Sequence, residues 1–171
     1  FARVVRPLII CMLRFAFLGK NKKLIIQNRD DQKVLMDSKV IPTSKIALIR
    51  GSGVDTALYS KAYSTAQKEN VVMFVARLLR DKGIGEFIEA ARMIASRGHR
   101  CKFVVVGDRD PQNPECIIVN ELEQWRNETN VEFWGRIDDM PNAYEKATIV
   151  CLPSYREGFP KVLLEAASMK I

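Results

Sequence analysis

Histidine is nearly missing: the chain of 171 residues holds one, His99. It lies in RGHRC, between a helical pattern and a strand pattern, and reads as a loop residue rather than a catalyst. Cysteine is scarce too. Cys11, Cys101, Cys116 and Cys151 are the four, and no two are spaced C-x-x-C. With one histidine beside them they offer little to a zinc ion, whose sites draw on closely spaced Cys and His. Cys11 and Cys151 lie in apolar stretches, where a free thiol acts as a small buried hydrophobe. The pattern is that of a reduced, cytoplasmic protein.

Long apolar runs are absent as well. The longest, residues 7–18 (PLIICMLRFAFL), is interrupted by Arg14 and is shorter than the ~20 residues of a membrane span. GKNKK follows it with no small-residue cleavage site, which argues against a signal peptide. No internal repeat and no low-complexity segment is visible. What is present is ordinary globular composition, 47% hydrophobic and 27% charged, which argues against disorder. Lys plus Arg exceed Asp plus Glu by 27 to 20, a net +7 that favours anionic partners without choosing among nucleic acid, lipid and phosphorylated small molecules. The chain opens on Phe1 rather than Met, and is read as a piece of a longer protein.

Residues 2–18 read as a helix with Arg3, Arg6 and Arg14 on one narrow face and mostly apolar residues elsewhere. Such a helix either packs against further protein or lies on a membrane with its arginines at the headgroups. KLIIQN (23–28) and KIALIR (45–50) read as short strands, separated by a helix that an Asp caps. GSGVD (51–55) is a turn signal, and 56–70, without apolar periodicity, reads as a linker. From 71 onward the pattern is regular. Continuous apolar strands at 71–76, 101–107, 130–135 and 148–153 alternate with helices at 84–97, near 115–127, at 139–146 and from Pro160 onward. Gly98 closes the first of these helices, and Asp138 and Asp139 cap the third. Buried strands alternating with helices mean a doubly wound α/β domain with a parallel sheet, whose ligands bind beyond the carboxyl ends of the strands.

Two groups of residues sit where that rule places a ligand. Arg77 and Lys82 follow the first strand, and two cations at that edge suit a diphosphate. Taken alone, such a pair is more often two solvated loop cations. SYREGFPKVLLEA (154–166) turns tightly at Gly158 and Pro160 into a helix whose first N–H groups favour an anion. Glu165, among Leu164, Ala166 and Ala167, is a carboxylate too deep to stay ionised without donors, and ribose or sugar hydroxyls are suitable ones. The plainer alternative is a salt-bridged glutamate on a surface helix.

Together these segments resemble the GT4-type retaining glycosyltransferases, in particular the branch that assembles bacterial capsules and glycans. GSGVD (51–55), VARLLRDKGIGEFIEAA (75–91), VVVGDRDPQNP (104–114), VEFWGRIDDM (131–140) and LPSYREGFPKVLLEA (152–166) carry the resemblance. The last holds Glu157 and Glu165 as Glu-x7-Glu, weak alone and specific in this company and order. The resemblance covers nearly the whole chain. It implies a GT-B-type fold of two Rossmann-like domains with the active site between them. Residues 1–55 would then be the tail of the N-terminal acceptor domain, 56–70 the hinge, and 71–171 the nucleotide-sugar-binding domain, incomplete at its end.

The resemblance implies roles residue by residue. Arg77 and Lys82 would hold the donor diphosphate and stabilise the departing nucleoside diphosphate. Glu157 would contact the transferred sugar. Gly158, Phe159 and Pro160 would form the turn whose amides approach sugar and phosphates, with Lys161 beside them. Glu165 would bind the ribose hydroxyls. Arg136 and Ile137, after Gly135, match the loop beside the base, and Gly53 matches a glycine near the hinge. The family needs no metal or other cofactor, and Asp108 and Asp110, despite their Asp-x-Asp spacing, read as plain loop residues. The implied partners are a nucleotide-sugar donor, UDP-linked in this branch, and a glycan or polyprenyl-diphosphate-linked saccharide acceptor. The implied place is the cytoplasm, at the inner face of the membrane, with peripheral association through helix 2–18 as one reading. The piece 1–171 is not expected to turn over by itself. A nucleotide-binding module without catalysis is the competing reading. Nucleic-acid binding ranks last, because the basic stretches 14–29 and 97–102 lie apart and no aromatic-basic platform stands out.

Overall fold

The computed structural model describes residues 2–19, 21–51, 53–60, 69–127 and 130–171. It divides into two compact units, Phe1–Ser52 and Gly53–Ile171. Most of the expected linker, 61–68, lies outside the described residues, as does the side chain of Arg3.

The first unit contains helix α1 (Ala2–Ala16), strand β1 (Leu24–Ile26), helix α2 (Arg29–Asp37) and strand β2 (Ile46–Leu48). β1 and β2 pair in parallel, Leu24 opposite Ile46 and Ile26 opposite Leu48. The cap of α2 is Asn28, not an aspartate. Its Oδ1 accepts from the Asp31 N–H at 2.7 Å. A cap must stand one residue outside the helix in extended backbone, and Asn28 does so at φ −139°. Arg14 donates to the carbonyls of Lys39 and Ser38 at 3.0 and 2.9 Å, which satisfies acceptors that the end of α2 leaves open. Lys45 closes α1 in the same way, donating to the carbonyls of Phe17 and Gly19. The opposite stripe of α1, Leu8, Met12 and Phe15, is exposed. Among the described residues no helix is long and apolar enough to cross a membrane.

The second unit is a four-stranded parallel sheet of β3 (Val71–Val75), β4 (Lys102–Val106), β5 (Val131–Gly135) and β6 (Ile149–Cys151). Its helices are α3 (Ile84–Ser96), α4 (Val119–Arg126), α5 (Met140–Glu145) and α6 (Lys161–Ser168). The central strands, β3 throughout and β4 after Lys102, are continuously apolar because both faces are covered, whereas the edge strand β5 carries Glu132. Phe74, Phe103 and Val105 face α3 and α4, meeting Ile84, Phe87, Ile88, Leu122 and Trp125. Val71, Met73, Val75, Val104 and Val106 face the other way, meeting Tyr144, Ala147, Ala166 and Met169 around α5 and α6. Phe87 stands between Phe74 and Phe103, its ring centre 5.4 and 5.5 Å from theirs.

The strand order is β5-β4-β3-β6. The first three strands therefore run one way across the sheet, and the fourth returns to the far side of the first. This reversal is the switch point of a doubly wound sheet, and it opens a crevice beyond the carboxyl ends of β3 and β6. The start of α4 is later than the sequence pattern, near 115, implies. Residues 115–117 pair instead with the loop after β3: the Arg80 N–H donates to the Glu115 carbonyl and the Ile117 N–H to that of Leu78. Val54 packs against the α5–α6 side of the sheet, so Gly53, Val54 and Asp55 group with the second unit.

Candidate functional site

The crevice is bounded by two loops, 76–83 after β3 and 152–160 after β6, that leave neighbouring strands in the same direction. Their backbones touch. At Gly83, φ is +76° and a Cβ would stand 2.1 Å from the Pro153 carbonyl oxygen, so glycine alone fits. The Tyr155 N–H and the Ser154 hydroxyl both donate to the Asp81 carbonyl, at 3.0 and 3.1 Å. The Tyr155 hydroxyl donates to Glu86 at the start of α3. That hydrogen bond holds the Glu86 carboxyl below its ordinary range and pushes the Tyr155 phenol up.

Lys82 and Glu157 meet across the same crevice, Nζ to Oε1 at 2.7 Å, with side chains 20% and 26% exposed. Arg77 is pinned on the other side by Asp110, at 2.7 Å. Loop 107–110 comes this close because of Gly107, where a Cβ would stand 1.9 Å from the Ala76 carbonyl oxygen. Each cation therefore has a carboxylate beside it, from a separate loop. Asp108 and Asp110 do not act together: Asp110 takes Arg77, while Asp108 lies beside Gly135. Among the described residues no three His, Cys, Asp or Glu side chains converge as a metal site requires.

Gly158 and Phe159 are exposed in the turn before α6. Pro160 stands at the N-cap of α6, no side chain caps the helix, and Lys161 is its first residue. The N–H groups of Leu163 and Leu164 donate back to the Pro160 carbonyl at 3.2 and 3.4 Å, which leaves Lys161 and Val162 to lead the helix. One turn further on, Glu165 is 7% exposed. The Tyr144 hydroxyl, wholly buried on α5, lies 3.0 Å from its Oε2 and 3.2 Å from the Val162 carbonyl. Lys161 Nζ is 4.0 Å from the other oxygen, Oε1. Burial, then the charge of Glu165 and the hydrogen bond to it, push the Tyr144 phenol far up. The same causes in the same order raise Tyr59. Tyr59 is delivered there by a turn that Asp55 caps, Oδ1 accepting from the N–H groups of Ala57 and Leu58 at 2.9 and 3.1 Å.

Past the ends of β3 and β6 the structure brings Lys82 and Glu157 together, with Arg77 at the end of β3, 158–161 in the turn and at the first residue of α6, and Glu165 one turn into that helix against Tyr144. Arg136 and Ile137 stand past the end of β5, Arg136 exposed and paired with Asp138 at 3.2 Å. A cleft of about 290 Å³ opens beside them, lined by Gly107, Asp108, Arg109, Phe133 and Gly135. Gly53 begins the unit at φ +77°, with open space where a Cβ would be. A larger opening of about 610 Å³, around Glu69, Asn70, Lys102 and Glu132, lies at the amino ends of the strands. It is the wrong edge of a parallel sheet for the chemistry of these loops. Sequence reasoning missed Tyr144, Tyr59 and Asp110. The signal for Tyr144 was available: a buried carboxylate requires a donor from the protein as well as any from a ligand.

The family model described as glycosyl transferases group 1 matches residues 55–171, more than half of the chain. The chain is 28% identical over 177 aligned residues to the N,N'-diacetylbacillosaminyl-diphospho-undecaprenol alpha-1,3-N-acetylgalactosaminyltransferase of Campylobacter jejuni, covering 96% of this chain and 44% of that one. It is 33% identical over 109 residues to the GalNAc-alpha-(1->4)-GalNAc-alpha-(1->3)-diNAcBac-PP-undecaprenol alpha-1,4-N-acetyl-D-galactosaminyltransferase of the same organism, covering 63% and 29%. The chain therefore spans less than half the length of these relatives. Among solved structures it resembles Anabaena Alr3699/HepE in complex with UDP and glucose, with TM-score 0.70, 21% identity, and coverage of 94% and 46%. At that identity the likeness is one of fold.

Proposed function

Since this chain belongs to the group 1 glycosyl transferases, we propose that it is the donor side of an enzyme that moves a sugar, with retention, from a nucleoside-diphosphate donor to a glycan or lipid-linked saccharide. One observation carries the reading. The reversal of strand order puts the Arg77–Lys82 loop and the Glu157–Glu165 segment on adjacent strands, beyond their carboxyl ends. Residues 1–52 are then the end of the acceptor-side domain, and the acceptor site belongs to the rest of that domain. The undecaprenol-linked acceptors for which the two Campylobacter jejuni relatives are named favour a polyprenyl-diphosphate saccharide at a membrane surface.

The chemistry follows from charge. As the bond between the sugar's anomeric carbon and the diphosphate oxygen breaks, negative charge grows on the diphosphate. Lys82, Arg77 and the first N–H groups of α6 are the donors at hand for that charge, and preorganised donors of this kind are commonly the largest catalytic contribution. They take the part a metal ion plays elsewhere, so the reading needs no metal. The Lys82–Glu157 pair is exchanged on binding: phosphate takes the ammonium, and Glu157 turns to a hydroxyl of the transferred sugar. Glu165 takes the ribose hydroxyls, and Arg136–Ile137 border the base. UDP is the expected nucleotide.

Calorimetric binding of UDP and UDP-sugars, with and without EDTA, tests this. Binding is expected to survive EDTA. Lys82→Ala and Glu165→Ala are each expected to weaken it by about tenfold or more, the worth of a hydrogen bond to a charged group. A folded full-length protein that binds none of UDP, GDP and ADP would sink the assignment.

A further inference from the structure

Glu165 is the one charged side chain buried in the second unit among the described residues, and its two oxygens have different surroundings. Oε2 lies against the Tyr144 hydroxyl at 3.0 Å, inside the layer between α5 and α6, where Tyr144 is wholly buried. Oε1 lies 4.0 Å from the ammonium of the largely exposed Lys161, and the Tyr59 hydroxyl also bears on the carboxylate. The Tyr144 hydroxyl has one proton and two acceptors within reach, Glu165 and the Val162 carbonyl. The charged acceptor makes the stronger bond. The Tyr144 ring is itself fixed, packed in the core and 6.1 Å from the ring of Tyr59. A rigid donor on one oxygen of a carboxylate sets the torsion of the whole group.

We infer that Tyr144 is a positioning residue: it holds the inner oxygen of Glu165 so that the outer one, Oε1, faces the paired hydroxyls of the donor's ribose. This rests on reading Glu165 as the ribose carboxylate. Tyr144 touches no substrate. Its effect is on discrimination, because a fixed carboxylate gains the second hydroxyl's hydrogen bond in full, whereas one free to rotate gives up torsional freedom to accept from both.

The test compares affinities for UDP and 2′-deoxy-UDP, measured by calorimetry on the full-length protein and on Tyr144→Phe and Glu165→Gln. The wild type is expected to prefer UDP about tenfold, the worth of one hydrogen bond to a charged acceptor. Tyr144→Phe keeps the ring and its packing and leaves the Tyr59 hydroxyl in place, and is expected to cut the preference to about threefold or less, because Tyr144 alone is fixed by a hydrogen bond of 3.0 Å to Oε2. Both affinities come from one preparation, and the stoichiometry reports its folded fraction, so partial misfolding does not alter the ratio. If Tyr144→Phe keeps the full preference while Glu165→Gln abolishes it, Tyr144 merely packs and the inference fails alone. If the wild type shows no preference, the ribose reading of Glu165 fails and the inference falls with it.

Discussion

Gly83 and Gly98 share nearly the same backbone, φ +76° and +75°, and differ in what surrounds them. Space is open around Gly98. At Gly83 the Pro153 carbonyl fills the position a methyl would need. Alanine at either site meets backbone strain of about 1–3 kcal/mol. At Gly83 it also forces apart the two loops that form the crevice. Urea denaturation is expected to show Gly83→Ala losing clearly more stability than Gly98→Ala, and UDP affinity is expected to fall only for Gly83→Ala. Equal losses at both sites would mean that the loops yield. Gly98 was legible in the sequence as a helix terminator, because that signal is local. The need for Gly83 was not, because the atom that excludes a side chain is 70 residues away in Pro153. Lys82 and Glu157 were singled out in the sequence, whereas their pairing was not legible, for the same reason of distance along the chain.

Elements were the most readable level, since burial on both faces and helical spacing leave direct marks in residue order. The misreadings occur where an element trades its own pattern for a neighbour's. Residues 115–117 were read as helix, yet their backbone is used against the loop after β3. Loop 152–160 is likewise fastened to α3 through Tyr155 and Glu86. Glu86 is held below its ordinary value, so the fold favours its carboxylate. The contribution is full above the ordinary glutamate value of about 4.3 and is lost as pH falls through the lowered one. Tyr155 is raised, so its neutral form is favoured; that contribution is full below the ordinary phenol value of about 10 and is lost as pH rises through the raised one. Tyr155→Phe is therefore expected to lower stability near neutrality and to match the wild type in acid below the carboxylate range. Urea midpoints at the two pH values decide it, and a difference that persists in acid would locate the effect in packing.

For the molecule as a whole, residue order gave a parallel sheet covered on both sides but not which strand lies beside which. Periodicity carries no information about neighbours. The Arg77–Lys82 and Glu157–Glu165 segments are made one site by the return of β6 to the open side of β3. That placement has a kinetic meaning. Lys82 and Glu157 are 75 residues apart along the chain, and closing so long a loop costs entropy that local helices never face. Nucleotide affinity should accordingly be the last property a refolding chain acquires. In stopped-flow refolding, far-ultraviolet circular dichroism is expected to recover before fluorescent UDP analogues bind, and simultaneous recovery would contradict this. A protease that reaches the chain in that interval would meet a largely helical body whose site does not yet exist, and added nucleotide could shelter only the molecules that have already finished.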